Sequence, residues 1–316
     1  MPIPAMISVH VEPTHRVVRG GGEDWEGVSD LVEALMERRA RLEDASGLPV
    51  CYNWGLRIDP QIEIAYGKAD WVFDRYADEI AQMQAAGDVV GLHVHTWRPL
   101  RRFFRDTWIA DFEDPAWISH CLTLALETFR DRMGGSPTVM SFGDSFMHDC
   151  ALPIMQDHGI RADFSMNPGM APLKALGKGE RSTGHLPDYR DTPRHPFKPS
   201  AVDFRRDGPS NYNFWELPVT SGVIGTARDG SDKWTKLLLG TNPDWITKIT
   251  AEALQRPAPY LLAESRTDVL THPKTRARFF MALDHLEELA RTRGLEFIGM
   301  ETLSDRLDRG EWPVAA

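Results

Sequence analysis

The sequence predicts a single α/β domain built on a parallel barrel, and three observations carry that reading. Short apolar runs alternate with amphipathic helical stretches along most of the chain, the pattern of right-handed strand–helix–strand crossovers. Two of the runs end in pairs of metal-ligand residue types at i, i+2 spacing, His10 with Glu12 and His93 with His95. The chain has 316 residues, 42% of them hydrophobic, enough to bury one large core. Residues i and i+2 of an extended segment share a face, and the C-terminal ends of all strands of a parallel α/β barrel open on one mouth. Two such pairs, distant in sequence, can therefore meet at one point.

The elements follow in order. A first strand over about residues 5–12 leads into a Gly20-Gly21-Gly22 turn and a helix opened by Ser29-Asp30, with Leu31, Leu35 and Leu42 as its apolar stripe. Gly47-Leu48-Pro49 ends that helix, and Val50 to Trp54 reads as the second strand. Residues 70–86 form a helix stopped by Gly87, and the strand carrying His93 and His95 follows at once. After a basic and aromatic loop, Arg98 to Phe104, come a helix at about 115–133, a strand at 138–144, a helix at 151–158 and a strand at 160–165. Residues 166–213, rich in Pro, Gly, Arg and Asp, break the rhythm and predict a long irregular insertion over a site. The tail returns to the alternation, with strands at 214–219, 260–263 and 296–299 and helices near 243–255 and 274–293.

Net charge is −10 with the basic residues scattered, which argues against a nucleic-acid or anionic-membrane footprint and for a small-molecule partner. Met1 to Met6 has neither a basic nor a long apolar segment, and no later stretch has the length to span a bilayer, so a soluble cytoplasmic protein is expected. Three cysteines without Cys-x-x-Cys spacing, Cys51, Cys121 and Cys150, read as reduced thiols rather than a disulfide framework or a zinc knuckle. The composition leaves oligomeric state open.

Imidazole plus carboxylate is a donor mixture suited to a divalent first-row ion, most simply Zn2+. Glu12, His93 and His95 are the expected ligands, leaving coordination positions for water and substrate. His10 is a third imidazole ligand or the base that manages the proton, because a free imidazole titrates near neutrality. Asp144, after Gly143 on an exit turn, is placed to orient a histidine or to bind a substrate hydroxyl. Trp97, with Trp54, Trp108 and Trp215 near other strand ends, is a candidate platform for a sugar face.

The order of these motifs resembles the polysaccharide deacetylase family with the NodB-homology fold (carbohydrate esterase family 4-like), as a divergent member. Ile7 to Glu12 resembles the family's first motif, Gly91-Leu92-His93-Val94-His95 the second, residues 138–146 with Leu152 to Ser165 the third, and Trp215-Glu216-Leu217-Pro218 the fourth. The resemblance implies a distorted (β/α)7 barrel of NodB-homology type with a long irregular insertion, and a metal-dependent hydrolase acting in carbohydrate metabolism. It also places departures on key positions. His10 stands where the family has a base aspartate, Trp97 where its second histidine falls, and Ser141 where an arginine pairs with that aspartate. The fifth motif has no histidine at Ala263 to Arg266, although His272 follows within one loop. Arg266 and His272 are thereby expected to assist the oxyanion or the leaving group.

The expected activity is removal of an N-acyl group from a soluble sugar or sugar-like metabolite. Two other readings are a different amidohydrolase-like barrel, in which His-x-His marks the first strand, and a non-catalytic binding protein on a deacetylase barrel. The insertion is expected to lie across the barrel mouth, with Pro187 to Ser200 as an ordered flap. Its Lys174, Lys178, Arg181, Arg190, Arg194, Lys198, Arg205 and Arg206 point to an anionic substrate, Arg194 foremost.

Overall fold

A nine-residue strand, β1 (Ile3–Val11), lies within a curled parallel sheet. The computed structural model describes residues 2–18, 24–102, 105–173, 181–227 and 229–312. Numbered along the chain, the sheet runs β12 (Leu261–Arg266), β1, β2 (Asn53–Arg57), β3 (Val89–Val94), β6 (Val139–Phe142), β7 (Ala162–Asp163) and β9 (Trp215–Glu216). It forms a seven-stranded half-barrel of the NodB type. A short β13 (Leu295–Phe297) pairs with the first residues of β1. The gap between β9 and β12 is spanned by irregular chain: Thr220 N donates to Leu262 O at 3.1 Å and Leu239 N to Glu264 O at 2.8 Å. Distortion of the barrel is located there.

Three further strands form a small side sheet. β4 (Trp97–Arg102) and β5 (Arg105–Asp111) make a hairpin that β8 (Ser182–Thr183) extends, and β10 (Ser221–Thr226) pairs with β11 (Asp232–Lys236) in a second hairpin. The helices are α1 (Val28–Ser46), α2 (Pro60–Tyr66), α3 (Trp71–Arg75), α4 (Ala77–Ala85), α5 (Pro115–Met133), α6 (Ala151–Asp157), α7 (Pro243–Ala253), α8 (Pro273–Arg293) and α9 (Met300–Asp308). Local chemistry explains their starts. Asp114 accepts from the N–H groups of Ala116 and Trp117 ahead of Pro115, and Asp59 accepts from Ile62 ahead of Pro60, each an N-cap followed by proline at the first helical position. Leu31, Leu35 and Leu42 of α1 are fully buried, as their spacing predicts. Among the described residues no helix is long and apolar enough to cross a membrane.

Several expectations need correction. The second strand lies three residues later than read, because it runs on to Arg57, which is in register with His93 of β3 and whose charge interrupts the apolar pattern but is fully buried. The helix at 70–86 is two helices meeting at Tyr76, whose φ of −123° and ψ of 37° are not helical. The basic loop after Trp97 is the β4–β5 hairpin, with Phe104 outside the described residues, as are the Gly20-Gly21-Gly22 turn, Lys174 and Lys178. α2, α9 and the β10–β11 hairpin escaped the reading. His93 sits on the third strand of the chain, not the first, which counts against the amidohydrolase-like alternative.

Below the mouth, Asp163 on β7 and Glu216 on β9 form a buried acid pair. Burial pushes both carboxyls up, Asp163 to about 6 and Glu216, with Asp163 beside it, well above its ordinary value. The folded pair therefore retains a proton near neutrality that the unfolded chain releases above about pH 4.5. A raised carboxyl pKa makes folding take up protons, so this pair's contribution to stability declines as pH rises through the folded values. Glu216→Gln, a neutral isostere, should stay folded and flatten the decline in denaturant-measured stability between about pH 5 and 8. An unchanged slope would show that Glu216 does not hold the proton.

Candidate metal centre and its pocket

β1 and β3 are separated only by β2, with His10 in register with Gly55 and Gly55 in register with Gly91. This brings the C-terminal ends of both ligand-bearing strands to one side of the barrel. Glu12 Oε2, His93 Nε2 and His95 Nε2 converge: Glu12 to His95 is 3.1 Å, His93 to His95 is 3.1 Å and Glu12 to His93 is 3.7 Å. Donors on a tetrahedral ion with bonds of about 2.0–2.2 Å stand roughly 3.3–3.6 Å apart, so the three atoms already outline one face of such a site. The donor atoms of His10, Glu12 and His93 form an overlapping group within 4.8 Å of one another. Of the two sets, the one with His95 is the tighter.

The outer partners favour the same assignment. His95 Nδ1 lies 3.0 Å from Asp144 Oδ2; a carboxylate only accepts, so that nitrogen carries the hydrogen and Nε2 is left for a ligand bond. His93 Nδ1 is 2.9 Å from Ser141 Oγ, a hydroxyl able to accept from it and so to free Nε2 for a ligand bond. Gly143 makes room for this arrangement, since a Cβ there would fall 2.0 Å from His95 Nε2. Asp144 itself takes a φ of 60°, a left-handed conformation that Asp and Asn tolerate better than most side chains. The donor set thus fits a divalent ion, which Glu12, His93 and His95 would hold.

Around the centre, charges are matched. Arg266 Nη1 stands 3.3 Å and Arg57 Nη1 3.5 Å from the Glu12 carboxylate. Burial raises the Glu12 carboxyl, but Arg266 and the two imidazoles outweigh it and hold the group well below its ordinary range. Burial lowers His93 to about 4. For His95 burial and Arg57 lower the pKa, yet Asp144 and Glu12 prevail and raise it. The field that raises His95 is the one that draws a cation to the same three atoms. Burial, then His93, lowers His10 to about 3, and its ring stacks on His93 at 4.0 Å between centroids. Its Nε2 is buried without a hydrogen-bond partner among the described residues. Near neutrality His10 is thus an uncharged lone-pair donor.

These side chains line a cavity of about 240 Å3 at the barrel mouth. Its roof comes from the insertion, through Met170, Leu173 and Leu186, and its far wall from Lys236, Leu238 and Glu264. The insertion therefore does reach the mouth, but with apolar groups. Arg194 instead meets Glu252 and Ser221 O and lies over the Trp234 ring, so its expected substrate role is corrected. Arg190 pairs with Asp188, Arg205 with Asp203 and Arg206 with Asp191.

Trp97 is likewise corrected: its ring is wholly buried and Nε1 donates to Asp144 at 3.1 Å, so it offers no face to a sugar. Asp144 has its oxygens taken by Arg16, His95 and Trp97 and positions a histidine rather than contacting a hydroxyl. Trp54 and Trp215 are buried and Trp108 binds Val18 O. His272 caps α8, with Nδ1 accepting from Lys274 N, and does not line this cavity.

Sequence reasoning missed Arg57, Asp59, Arg16, Lys236 and Glu264. Arg57 Nε donates to Asp59 Oδ2 at 2.8 Å, and Asp59 also receives His95 N at 3.3 Å. The one available signal was the Asp59-Pro60 helix start directly after a strand.

No family model matches the sequence, and no curated protein aligns with it. Solved structures of similar fold are more informative. A Parabacteroides distasonis protein described as a glycoside hydrolase/deacetylase is 12% identical, with a TM-score of 0.61 over 98% of this chain and 74% of that one. Proteins classed as polysaccharide deacetylases from Mycobacterium smegmatis (11% identical, TM-score 0.53, covering 100% and 94%) and Pseudomonas aeruginosa PAO1 (12%, 0.53, 97% and 91%) follow. The chain has the fold of the polysaccharide deacetylases.

Because Asp144 fixes both the tautomer and the direction of His95, Asp144→Asn should weaken zinc binding by roughly 10–100-fold in chelator competition. Wild-type affinity in that variant would contradict the outer-partner role.

Proposed function

We propose that the protein is a metal-dependent hydrolase that removes an N-acyl group from a small sugar or sugar-like molecule. The observation that carries this reading is the convergence of Glu12 Oε2, His93 Nε2 and His95 Nε2 to within 3.1–3.7 Å, with the Nδ1 of each histidine engaged by Ser141 or Asp144. The deacetylase fold is the second support, at the level of fold alone. When bound, a zinc or similar ion supplies a Lewis acid for an acyl carbonyl and acidifies a water.

In this scheme the chain's own residues divide the remaining work. Glu12, His93 and His95 hold the ion, and Arg57 and Arg266 balance the Glu12 charge. Arg266 also offers a guanidinium at the cavity wall for negative charge that develops on the substrate. Lys236, paired with Glu264 across β11 and β12, faces the cavity and is placed to protonate a departing amine. His10, neutral and stacked on His93, fixes the plane of that ligand. Met170, Leu173 and Leu186 limit water. A cavity of this size suits a single sugar unit better than a polymer lying through a groove.

Turnover of a panel of N-acetyl and N-formyl sugars tests the reading. Activity should disappear on chelation and return with zinc, and His93→Ala and His95→Ala should each lose more than the roughly 10–100-fold that removing an outer partner costs. Hydrolysis that persists in metal-free protein, or in both variants, would overturn it.

A further inference from the structure

A larger cavity, about 510 Å3, lies directly beyond the metal pocket and shares Arg266 and Leu238 with it as a common wall. It is formed where the chain enters α7 and α8. One side is apolar and broad, made by Trp245, Leu239 and Val269. Arg278, from the second turn of α8, also lines the cavity. Arg278 is half-buried, and no carboxylate, carbonyl or other partner meets it among the described residues. In a chain with 46 acidic and 36 basic residues this is notable, because the other arginines near the mouth are all matched.

The charge balance of the cavity follows directly. Asp268 is its one carboxylate, and it is held by Arg266 Nε at 3.2 Å. Arg266 is shared in turn with Glu12 and with the carbonyls of Pro13 and Thr14. Arg278 is left as an uncompensated cation facing a space large enough for a ring. The N-cap residues of α7 and α8, Asn242 and His272, also line the cavity, and their helix dipoles add a smaller positive field of the same sign. A guanidinium lining a cavity together with the Trp245 indole, whose ring also has Lys233 Nζ over it at 5.6 Å, matches an anion carried on a flat or apolar body.

We propose that this cavity binds an anionic group, phosphate or carboxylate, with Arg278 as its principal contact and Trp245 against the body that carries it. Because the cavity adjoins the metal pocket across Arg266, the group is the distal part of the same substrate whose acyl end lies at Glu12, His93 and His95; this last step rests on the proposed function. The anionic-substrate expectation drawn from the insertion is thereby moved to a residue of α8.

Calorimetric titration of the full-length protein, as purified and after chelation, with phenyl phosphate, benzoate and inorganic phosphate tests the site without requiring turnover. At least one of the aromatic anions should bind in both preparations, more tightly than inorganic phosphate. Arg278→Ala should weaken it about tenfold or more, with Arg278→Lys in between. The stronger of phenyl phosphate and benzoate identifies the anion. No binding by any probe, or equal binding by Arg278→Ala, would overturn the site. If the wild type hydrolyses an N-acyl sugar, Arg278→Ala should raise KM for its phosphorylated or carboxylated form more than for the neutral parent. An equal effect on both would overturn the link to the substrate. If no acyl sugar is turned over, the proposed function fails while the titration still decides the anion site.

Discussion

Glu12 is a carboxylate 4% exposed at the mouth of a barrel, and the surrounding structure is arranged to compensate that burial. Withdrawing such a group from water costs several kcal/mol. Arg266 at 3.3 Å and Arg57 at 3.5 Å return about 4–5 kcal/mol each at an effective dielectric of about 20, less for Arg266 because its guanidinium is partly solvated. Neither arginine could stand there unsupported. Arg57, wholly buried, is held by Asp59 and Gln61, and Asp59 in turn caps α2 and receives the backbone of His95. One carboxylate at the centre thus ties together β1, β2, β3, β12 and the first turn of α2.

The outer partners of the histidines show a second layer of the same logic. Asp144 is reached by Arg16 from the segment after β1, by His95 from the end of β3 and by Trp97 from β4. Its backbone pays a cost in the left-handed region, as does Ser145 at φ 61°. Paired outliers at a strand exit, beside a glycine that a histidine ring overlies, are how the β6 turn brings a carboxylate to the back of His95. The fold shared with deacetylases supplies the mouth where such residues meet; the chemistry depends on which residues occupy it.

Much of the barrel and the centre of the site were legible in the sequence because both follow from short periods. The i, i+2 pairs locate His10, Glu12, His93 and His95 on strand ends, and the alternation of runs gives the parallel order. What stayed hidden depends on long-range pairing. Arg57 breaks the apolar pattern of its strand, and only its contacts with Glu12, Asp59 and Gln61 explain a buried guanidinium. Lys236 and Glu264 meet across two strands that no local signal aligns. The basic insertion misled for a reason visible in retrospect. Asp188-Tyr189-Arg190 and Asp203-Phe204-Arg205 place acid and base two residues apart, so these charges satisfy one another locally. Trp97 misled for the opposite reason, since its indole is a buried donor to Asp144 rather than an exposed face.

The central claim is that Glu12, His93 and His95 converge on one ion. X-ray absorption at the zinc edge of the zinc-loaded protein reads that coordination directly. The account predicts one bound zinc with two imidazole shells, oxygen for the remaining ligands and no sulfur, and loss of one imidazole shell in His95→Ala. A spectrum with sulfur ligands, or one unchanged in His95→Ala, would contradict it.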